Sequence, residues 1–253
     1  MEATLKVIVA ALADQQAELS NLLSGLGDTD WQRPSRCDGW TVADVVLHLA
    51  QTNELASASA SGRMAEALDD LAGGQRRTGS VDDGADVLVA RERGQPGREV
   101  HDRWVATADD LCRRLEGTDP HQRLEWVAGQ VSARTLATTR IAETWIHAGD
   151  IGAGFGWMPA ATDRLWHVAR LAWRTLPYAF GRAGRELTGP VAFELRAPSG
   201  GGWRFAGDSE ILTIVRGDAV ELCLVAARRA SPEDTALRVE GPDPVLELVR
   251  TYA

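Results

Sequence analysis

The chain is organised around one stretch, Arg140-Ile-Ala-Glu143-Thr-Trp-Ile-His147-Ala-Gly-Asp150-Ile151, whose pattern is typical of a helix. Glu143 and His147 are four residues apart, so on a helix their side chains project from the same face, one turn apart. The apolar residues between and around them predict that this face points into a mostly buried interior. A carboxylate and an imidazole on one face form either a surface interaction or part of a metal site, and a third partner decides between the two.

His48 is the candidate third partner. Thr41, followed by Asp44 three residues later, resembles a capping box and predicts the start of a second helix. A histidine on the apolar face of such a helix is usually a core residue bonded to a carbonyl group. In a helical bundle with short loops, however, this helix becomes a neighbour of the central stretch and brings His48 to Glu143 and His147.

Hydrophobic periodicity predicts that the N-terminal part of the chain is mostly helical. The predicted long helices are 3–26, one that begins at Thr41, 99–117 and about 132–154. Polar sequence rich in glycine predicts a long connection at 57–97, broken by short helical pieces at 63–71 and 84–93, and a connection of this length tends to cover a site. This connection contains the arginines Arg76, Arg77, Arg91 and Arg93. They could contact an anionic substrate, but we interpret them by default as solvated surface charges.

The pattern changes after Gly156. A helix is predicted to end at Pro177, and a β-hairpin follows from its alternating pattern at 191–196 and 203–205. The remaining predictions are a strand at 208–215, a turn at Gly217-Asp218, a helix at 220–230, a strand at 234–240 and a helix at 244–252. We therefore predict an α+β protein with a helical domain at 1–158 and a smaller α/β domain at 159–253.

Composition excludes several classes of function. The chain has 253 residues, 36 of them acidic and 27 basic, and its net charge of -9 gives no electrostatic footprint for nucleic acid. No apolar run approaches the roughly 20 residues needed to cross a bilayer, and the N-terminus lacks the pattern of a signal peptide. We expect a cytoplasmic protein that acts neither on nucleic acid nor at a membrane.

The cysteines Cys37, Cys112 and Cys223 are far apart in the sequence and show no CxxC pairing. This spacing predicts neither a disulfide framework nor a zinc ribbon, and each cysteine is expected to be a small buried hydrophobic residue. A nucleophilic role for Cys37 is the alternative. The adjacent Asp38 argues against it, because a neighbouring carboxylate raises the pKa of a thiol.

Two segments of the sequence resemble the DinB/YfiT-like metal proteins and, among them, the mycothiol-dependent maleylpyruvate isomerase family. The segments are 31–49 (WQRPSRCDGWTVADVVLHL) and 143–150 (ETWIHAGD). The likeness extends over nearly the whole chain and is closest to a largely uncharacterised subgroup. It implies a four-helix bundle with metal ligands at His48, Glu143 and His147, followed by an α/β domain similar to sterol-carrier modules. It also implies that the second domain supplies an active-site arginine, for which Arg228 is the matching position and Arg229 its neighbour.

Two imidazoles and one carboxylate leave a coordination position open, as in catalytic zinc sites. The same ligand set suits non-haem iron(II), and the resemblance favours zinc or another divalent ion. The resemblance also implies a small thiol, such as mycothiol, that is activated for S-transfer or for thiol-assisted isomerisation of an electrophilic substrate. The alternatives are a thiol-independent lyase, hydrolase or cyclase, and a metal-binding or small-molecule-binding module without turnover.

Further side chains bear on the substrate. Arg228 is suited to hold a substrate carboxylate by paired hydrogen bonds. Asp150 is either an acceptor that orients a ligand imidazole or a carboxylate at a helix end. Four tryptophans flank the motifs and either bind an aromatic substrate or pack the bundle: Trp31, Trp40, Trp126 and Trp145. His101 and His121 show no spacing typical of ligands, and we leave them out of the site.

Overall fold

A computed structural model describes residues 4–73, 81–127 and 129–251, and its backbone divides into two compact units, Met1–Pro159 and Ala160–Ala253. The first unit is mostly helical. Its elements are α1 (Leu5–Ser24), α2 (Val42–Ala60), α3 (Met64–Ala72), α4 (Val81–Glu92), α5 (Gly97–Glu116), β1 (Arg123–Trp126), β2 (Gly129–Ser132) and α6 (Ala133–Ala153). The second unit is smaller and contains a sheet, which confirms the predicted α+β class. That 1–158 and 159–253 fold as independent domains stays a prediction.

Four long helices form the core of the first unit. α2 packs against α5 and α6, and α1 packs against the same two helices. Large side chains without solvent exposure fill the space between them: Leu12, Leu19, Trp104, Leu111, Leu115 and Leu136. Among the described residues, no helix has both the length and the apolar character needed to cross a membrane.

Side chains that cap the backbone determine where the site helices begin. Thr41 and Asp44 form the predicted capping box, in which Asp44 Oδ2 accepts a hydrogen bond from the Thr41 N–H at 2.9 Å. Ser132 caps α6 in a similar way, with its Oγ accepting from the Thr135 N–H at 3.2 Å. Both helices that carry candidate ligands therefore begin where the sequence predicts.

A short hairpin that the sequence does not predict precedes α6. β1 and β2 pair antiparallel, with Leu124 opposite Val131 and Trp126 opposite Gly129. In β1 the side chains of Leu124 and Trp126 are buried while their neighbours are exposed. Trp126 thus precedes α6 and flanks the second motif, on a strand that the sequence does not predict because four residues are too short for a periodic pattern to show.

The second unit is built on a four-stranded mixed sheet. Its elements are α7 (Leu165–Arg174), α8 (Leu176–Arg182), β3 (Val191–Arg196), β4 (Gly202–Phe205), β5 (Thr213–Asp218), α9 (Ala219–Ala226), β6 (Arg238–Glu240) and α10 (Val245–Leu248). The strand order is β4-β3-β5-β6, in which β3 and β5 are parallel and the outer pairs are antiparallel. The hairpin predicted at 191–205 is confirmed, and α7 packs on β3, β4 and α9.

Two predictions in this unit are wrong for identifiable reasons. The first helix ends at Arg174, and Pro177 lies in the first turn of α8, where its missing N–H is no loss. The predicted turn at Gly217-Asp218 is part of β5. Gly217 has a φ of 147° and lies so close to Leu237 that a Cβ would be 2.7 Å from its Cδ2, while Asp218 caps α9. Glycine and aspartate are typical of turns, but here Gly217 permits a close approach to Leu237 and Asp218 caps a helix.

The remaining elements of this unit are shorter than predicted. The helix predicted at 220–230 spans Ala219–Ala226, and the strand predicted at 234–240 is reduced to Arg238–Glu240 after a 3-10 turn at Pro232–Asp234. The C-terminal helix is confined to Val245–Leu248. Short elements are held by packing more than by their own propensity, so the sequence pattern locates them without defining their ends.

The buried histidine of α7 should make the folded protein less stable in acid. His167 is 8% exposed, and burial, together with the nearby charge of Arg170, lowers its pKa to about 4. Between that pH and its ordinary pKa near 6.5, the unfolded chain binds a proton that the folded chain does not, so stability falls as the pH decreases through this window. We expect the wild type to lose about 3 kcal/mol more than His167→Leu on acidification from about pH 7 to about pH 4. Urea unfolding of both proteins measures this, and equal losses would contradict it.

Candidate metal centre

The structure brings together the three candidate ligands predicted from the sequence. α2 carries His48, and α6 carries Glu143 and His147 one turn apart. The Nε2 atom of His48 lies 3.3 Å from Glu143 Oε2, and the Nε2 atom of His147 lies 3.6 Å from the same oxygen. Ligand atoms of the three residues all lie within 4.8 Å of one another. The arrangement therefore depends on the packing of α2 against α6.

These distances fit the geometry of a small divalent ion. Ligands bonded to zinc at about 2.0–2.1 Å with tetrahedral angles are about 3.4 Å apart, close to both observed separations. Each imidazole exposes 12% of its side chain and the carboxylate 8%, so the cluster is nearly enclosed. Three protein ligands leave a fourth tetrahedral position for another molecule, which is the arrangement of catalytic zinc.

Electrostatics favour an ionised carboxylate at the centre. Burial by itself raises the pKa of Glu143, but hydrogen bonds with His147 and His48 hold it well below the usual value. Burial lowers the pKa of His48, and the contact with Glu143 opposes this effect only in part. A neutral imidazole and an ionised carboxylate are the protonation states in which these groups bind metal ions.

The second ring nitrogen of His147 faces a different pair of side chains. Nδ1 lies 3.0 Å from Asp150 Oδ2 and 3.8 Å from Cys37 Sγ. Burial lowers the pKa of His147, but the contacts with Asp150, Cys37 and Glu143 outweigh burial and raise it well above its ordinary value. With Nδ1–H bonded to the carboxylate, Nε2 is the ring nitrogen available to an ion, which would displace the Nε2 proton that the raised pKa favours. The geometry therefore supports the orienting role that we considered for Asp150.

Cys37 lies beside the cluster and is partly exposed, whereas the sequence predicts a small buried residue or, as the alternative, a nucleophile. Its thiol donates to Asp150 Oδ2 at 3.3 Å, and Cys37, His147 and Asp150 form a second group of ligand-type side chains. The two groups share His147 and use opposite nitrogens of its ring. The signal available in the sequence was the position of Cys37 inside the first motif, next to the Asp38-Gly39 turn.

The loop at 31–41 is held against the end of α6. The N–H of Arg36 donates to the carbonyl oxygen of Asp150 at 2.9 Å, and a Cβ on Gly154 would lie 2.8 Å from the carbonyl oxygen of Pro34. Gly39, with a φ of 72°, lets the chain turn so that the Trp40 N–H bonds back to Cys37. These backbone contacts position the Cys37 thiol beside His147.

The connection predicted at 57–97 to cover a site contacts Trp40, which in turn lies beside the cluster. The Trp40 ring lies 5.2 Å from the His48 ring, and its Nε1 donates to Asp86 of α4 at 2.8 Å. α4 thus fixes an aromatic wall beside a candidate ligand. Trp31 instead packs near His101 and Gly97, which indicates a role in the core of the unit.

The other charged candidates of this unit have structural contacts. Arg91 donates to the carbonyl oxygens of Leu71 and Asp70, which ties α4 to α3, and Arg93 pairs with Asp44 at 3.1 Å. Arg76 and Arg77 lie outside the described residues. His101 Nε2 is 3.1 Å from Ser20 Oγ, and His121 is exposed, so neither joins the cluster.

Arg228 follows α9 in the second unit, where it occupies an unusual backbone conformation. Its φ of 62° is the only positive φ of a non-glycine residue in the described ranges. The N–H groups of Arg228 and Arg229 bond to the carbonyls of Val225 and Leu224, which is the hydrogen-bond pattern of a Schellman motif. The side chain of Arg228 is exposed. A charged residue therefore stands where helix ends usually place glycine.

The fold and the cluster define a class of protein in which a helical unit with largely enclosed histidine and carboxylate side chains precedes a small α/β unit. Comparison with known families makes this assignment specific. The sequence model of the mycothiol maleylpyruvate isomerase N-terminal domain matches residues 12–152, more than half of the chain. The chain belongs to this family.

Individual relatives and solved structures are similar to this chain over most of its length. Two uncharacterised proteins of Mycobacterium tuberculosis, from strains CDC 1551/Oshkosh and ATCC 25618/H37Rv, are each 31% identical over 93% of this chain and 90% of their own length. A crystal structure of a mycothiol-dependent maleylpyruvate isomerase is 19% identical, covers 96% of this chain and 95% of its own, and has a TM-score of 0.61. A histidine-to-alanine mutant of a mycothiol-dependent maleylpyruvate isomerase gives a TM-score of 0.62 at 18% identity. At this identity the structural likeness establishes the fold alone.

Proposed function

We propose that this chain is a divalent-metal-dependent enzyme that activates a small thiol, such as mycothiol, for S-transfer or thiol-assisted isomerisation of an electrophilic small molecule. His48, Glu143 and His147 would hold the ion, most suitably zinc, on a DinB-like four-helix bundle. The observation that carries the proposal is that the two ring nitrogens of His147 face different partners. Nδ1 is bonded to Asp150, while Nε2 faces Glu143 and His48.

The buried carboxylate supports a cation site in preference to a plain hydrogen-bond network. Both imidazole Nε2 atoms face the same oxygen of Glu143, and this carboxylate is held in its ionised form. Asp150 adds a second buried acidic group beside Nδ1 of His147, with 1% of the residue exposed. Two carboxylates beside two imidazoles compensate much of the charge of a divalent ion.

When bound, the ion would supply the positive charge that makes a coordinated thiol ionise at neutral pH. The residues of the chain have the remaining tasks. Asp150 and Cys37 hold His147 in place, and Trp40 bounds the site at His48. Arg228 would receive a carboxylate of the substrate through paired hydrogen bonds. In an isomerisation, the thiolate adds to a conjugated double bond, the resulting single bond rotates, and the thiolate leaves with the electron pair that it brought.

Metal analysis of the protein as purified tests the first half of this proposal, and calorimetric titration of the zinc-loaded protein with mycothiol tests the second. We expect about one ion per chain and saturable thiol binding that disappears in His147→Ala. Maleylpyruvate, the substrate named for the structural neighbours, is the first electrophile to assay.

Each outcome points to one function. Bound iron in place of zinc would favour the oxygen chemistry that this ligand set also supports. Bound metal without thiol binding would favour a thiol-independent lyase, hydrolase or cyclase. A tightly bound ion that admits neither thiol nor water would favour a non-catalytic binding module. A chain that binds no divalent ion under any of these conditions would rule the proposal out.

A further inference from the structure

Arg140 is a buried cation close to the candidate metal centre. It lies on α6 one turn before Glu143, and only 3% of the residue is exposed. Its Cζ is 4.9 Å from the centre of the Trp126 ring, so an aromatic ring covers one face of the guanidinium. Nε and Nη1 have no hydrogen-bond partner among the residues that the structure describes.

Packing does not explain this arrangement. A guanidinium keeps its charge inside a protein, and N–H groups left unpaired in the interior are strongly unfavourable. Burial lowers the pKa of Arg140, and the attraction of Glu143 opposes that shift. Among the described residues no acceptor, Glu143 included, hydrogen-bonds to Nε or Nη1, and both imidazoles face Glu143 Oε2. Cation–π contact with Trp126 accounts for one face of the guanidinium and leaves its edges open.

We propose that Arg140 and Trp126 form an anion subsite that binds a carboxylate group of the electrophilic substrate. A planar carboxylate matches an edge of the guanidinium, and it leaves the stacking on Trp126 undisturbed. Glu143 is the next residue on the same helix face, so a substrate anchored at Arg140 extends toward the cluster of His48, Glu143 and His147. The inference rests on the proposed function, and it narrows the substrate class to conjugated carboxylates.

Calorimetric titration of the zinc-loaded chain with maleate, a simple conjugated dicarboxylate, tests the subsite. We expect Arg140→Gln to weaken maleate binding by about tenfold or more, and Arg140→Lys to weaken it less, since lysine keeps the charge and loses the planar fork. Arg134→Gln is the matched control, because it removes the same charge from the same helix on a different face. Maleate affinity, mycothiol affinity and zinc content should be unchanged in that control.

Several results would overturn the subsite. The first is equal maleate affinity in the wild type and Arg140→Gln, and the second is no saturable maleate binding by the wild type up to about 10 mM. The third is an Arg140→Gln variant that loses mycothiol binding while it still binds maleate. If Arg140→Gln does not fold, the comparison of Arg140→Lys with the wild type decides, and unchanged affinity counts against the proposal. Failure of the proposed function is separate, because it shows in the zinc content and mycothiol titration of the wild type. Maleate titration of the zinc-free chain still tests Arg140 in that case.

Discussion

His48→Ala is expected to lose its metal ion and remain folded. The substitution removes one of three candidate ligand atoms that lie within 4.8 Å of one another. Metal affinity should therefore fall by more than about a hundredfold, which is more than the loss of a residue that only hydrogen-bonds to a ligand would cause. α2 does not need this side chain to fold. Its capping box lies at Thr41 and Asp44, and its buried apolar face includes Val45 and Val46, which have no exposure. Metal content after dialysis against a chelator, together with far-UV circular dichroism, measures both parts.

Two further variants make the result specific. His101→Ala removes another buried histidine of the same unit, one that contacts Ser20, and it should retain the ion. Asp150→Asn keeps an acceptor for the Nδ1–H of His147 but removes its negative charge, so we expect an intermediate loss of about 10–100-fold in affinity. Equal metal content in His48→Ala and the wild type would show that the cluster is a hydrogen-bond network and not a metal site.

The sequence predicts the parts of the site that lie on long periodic helices. Glu143 and His147 are placed together by the geometry of one helix, and His48 is placed by the start of another, which its capping box marks. The spacing predicts their juxtaposition once the two helices are assumed to be neighbours. The role of these residues as ligands stays a prediction.

Contacts made by loops and short strands are beyond this kind of reasoning. Cys37 reaches His147 because the loop at 31–41 is bonded to the end of α6 through backbone groups, which leave no pattern in the sequence. Trp126 reaches Arg140 through a hairpin of two four-residue strands. Both side chains contact polar groups near the candidate ligands: Cys37 donates to Asp150, and Trp126 covers one face of Arg140. Tertiary contacts with a large sequence separation decide such details.

Arg228→Gly is expected to stabilise the second unit and to impair the enzyme. A non-glycine residue at a φ of 62° costs about 1 kcal/mol or more, and glycine relieves this strain at the price of greater chain entropy in the unfolded state. We expect a net gain of about 0.5–1 kcal/mol in the free energy of unfolding. If Arg228 holds a substrate carboxylate, kcat/KM should fall by about a hundredfold, the effect of losing one partner of a charged pair.

Arg229→Gly separates these two effects. Arg229 does not have a positive φ, and its Nη1 donates to the carbonyl oxygen of Ala227, so glycine there should lower stability. If Arg228 is the functional arginine, Arg229→Gly should keep most of the activity, and Arg228→Lys should keep the strain while losing activity. Urea unfolding and turnover of maleylpyruvate with mycothiol give the two readouts. Activity lost in Arg229→Gly and retained in Arg228→Gly would move the role to Arg229. Strain at Arg228 would then be a feature of the helix end alone, with no function of the Arg228 side chain to offset it.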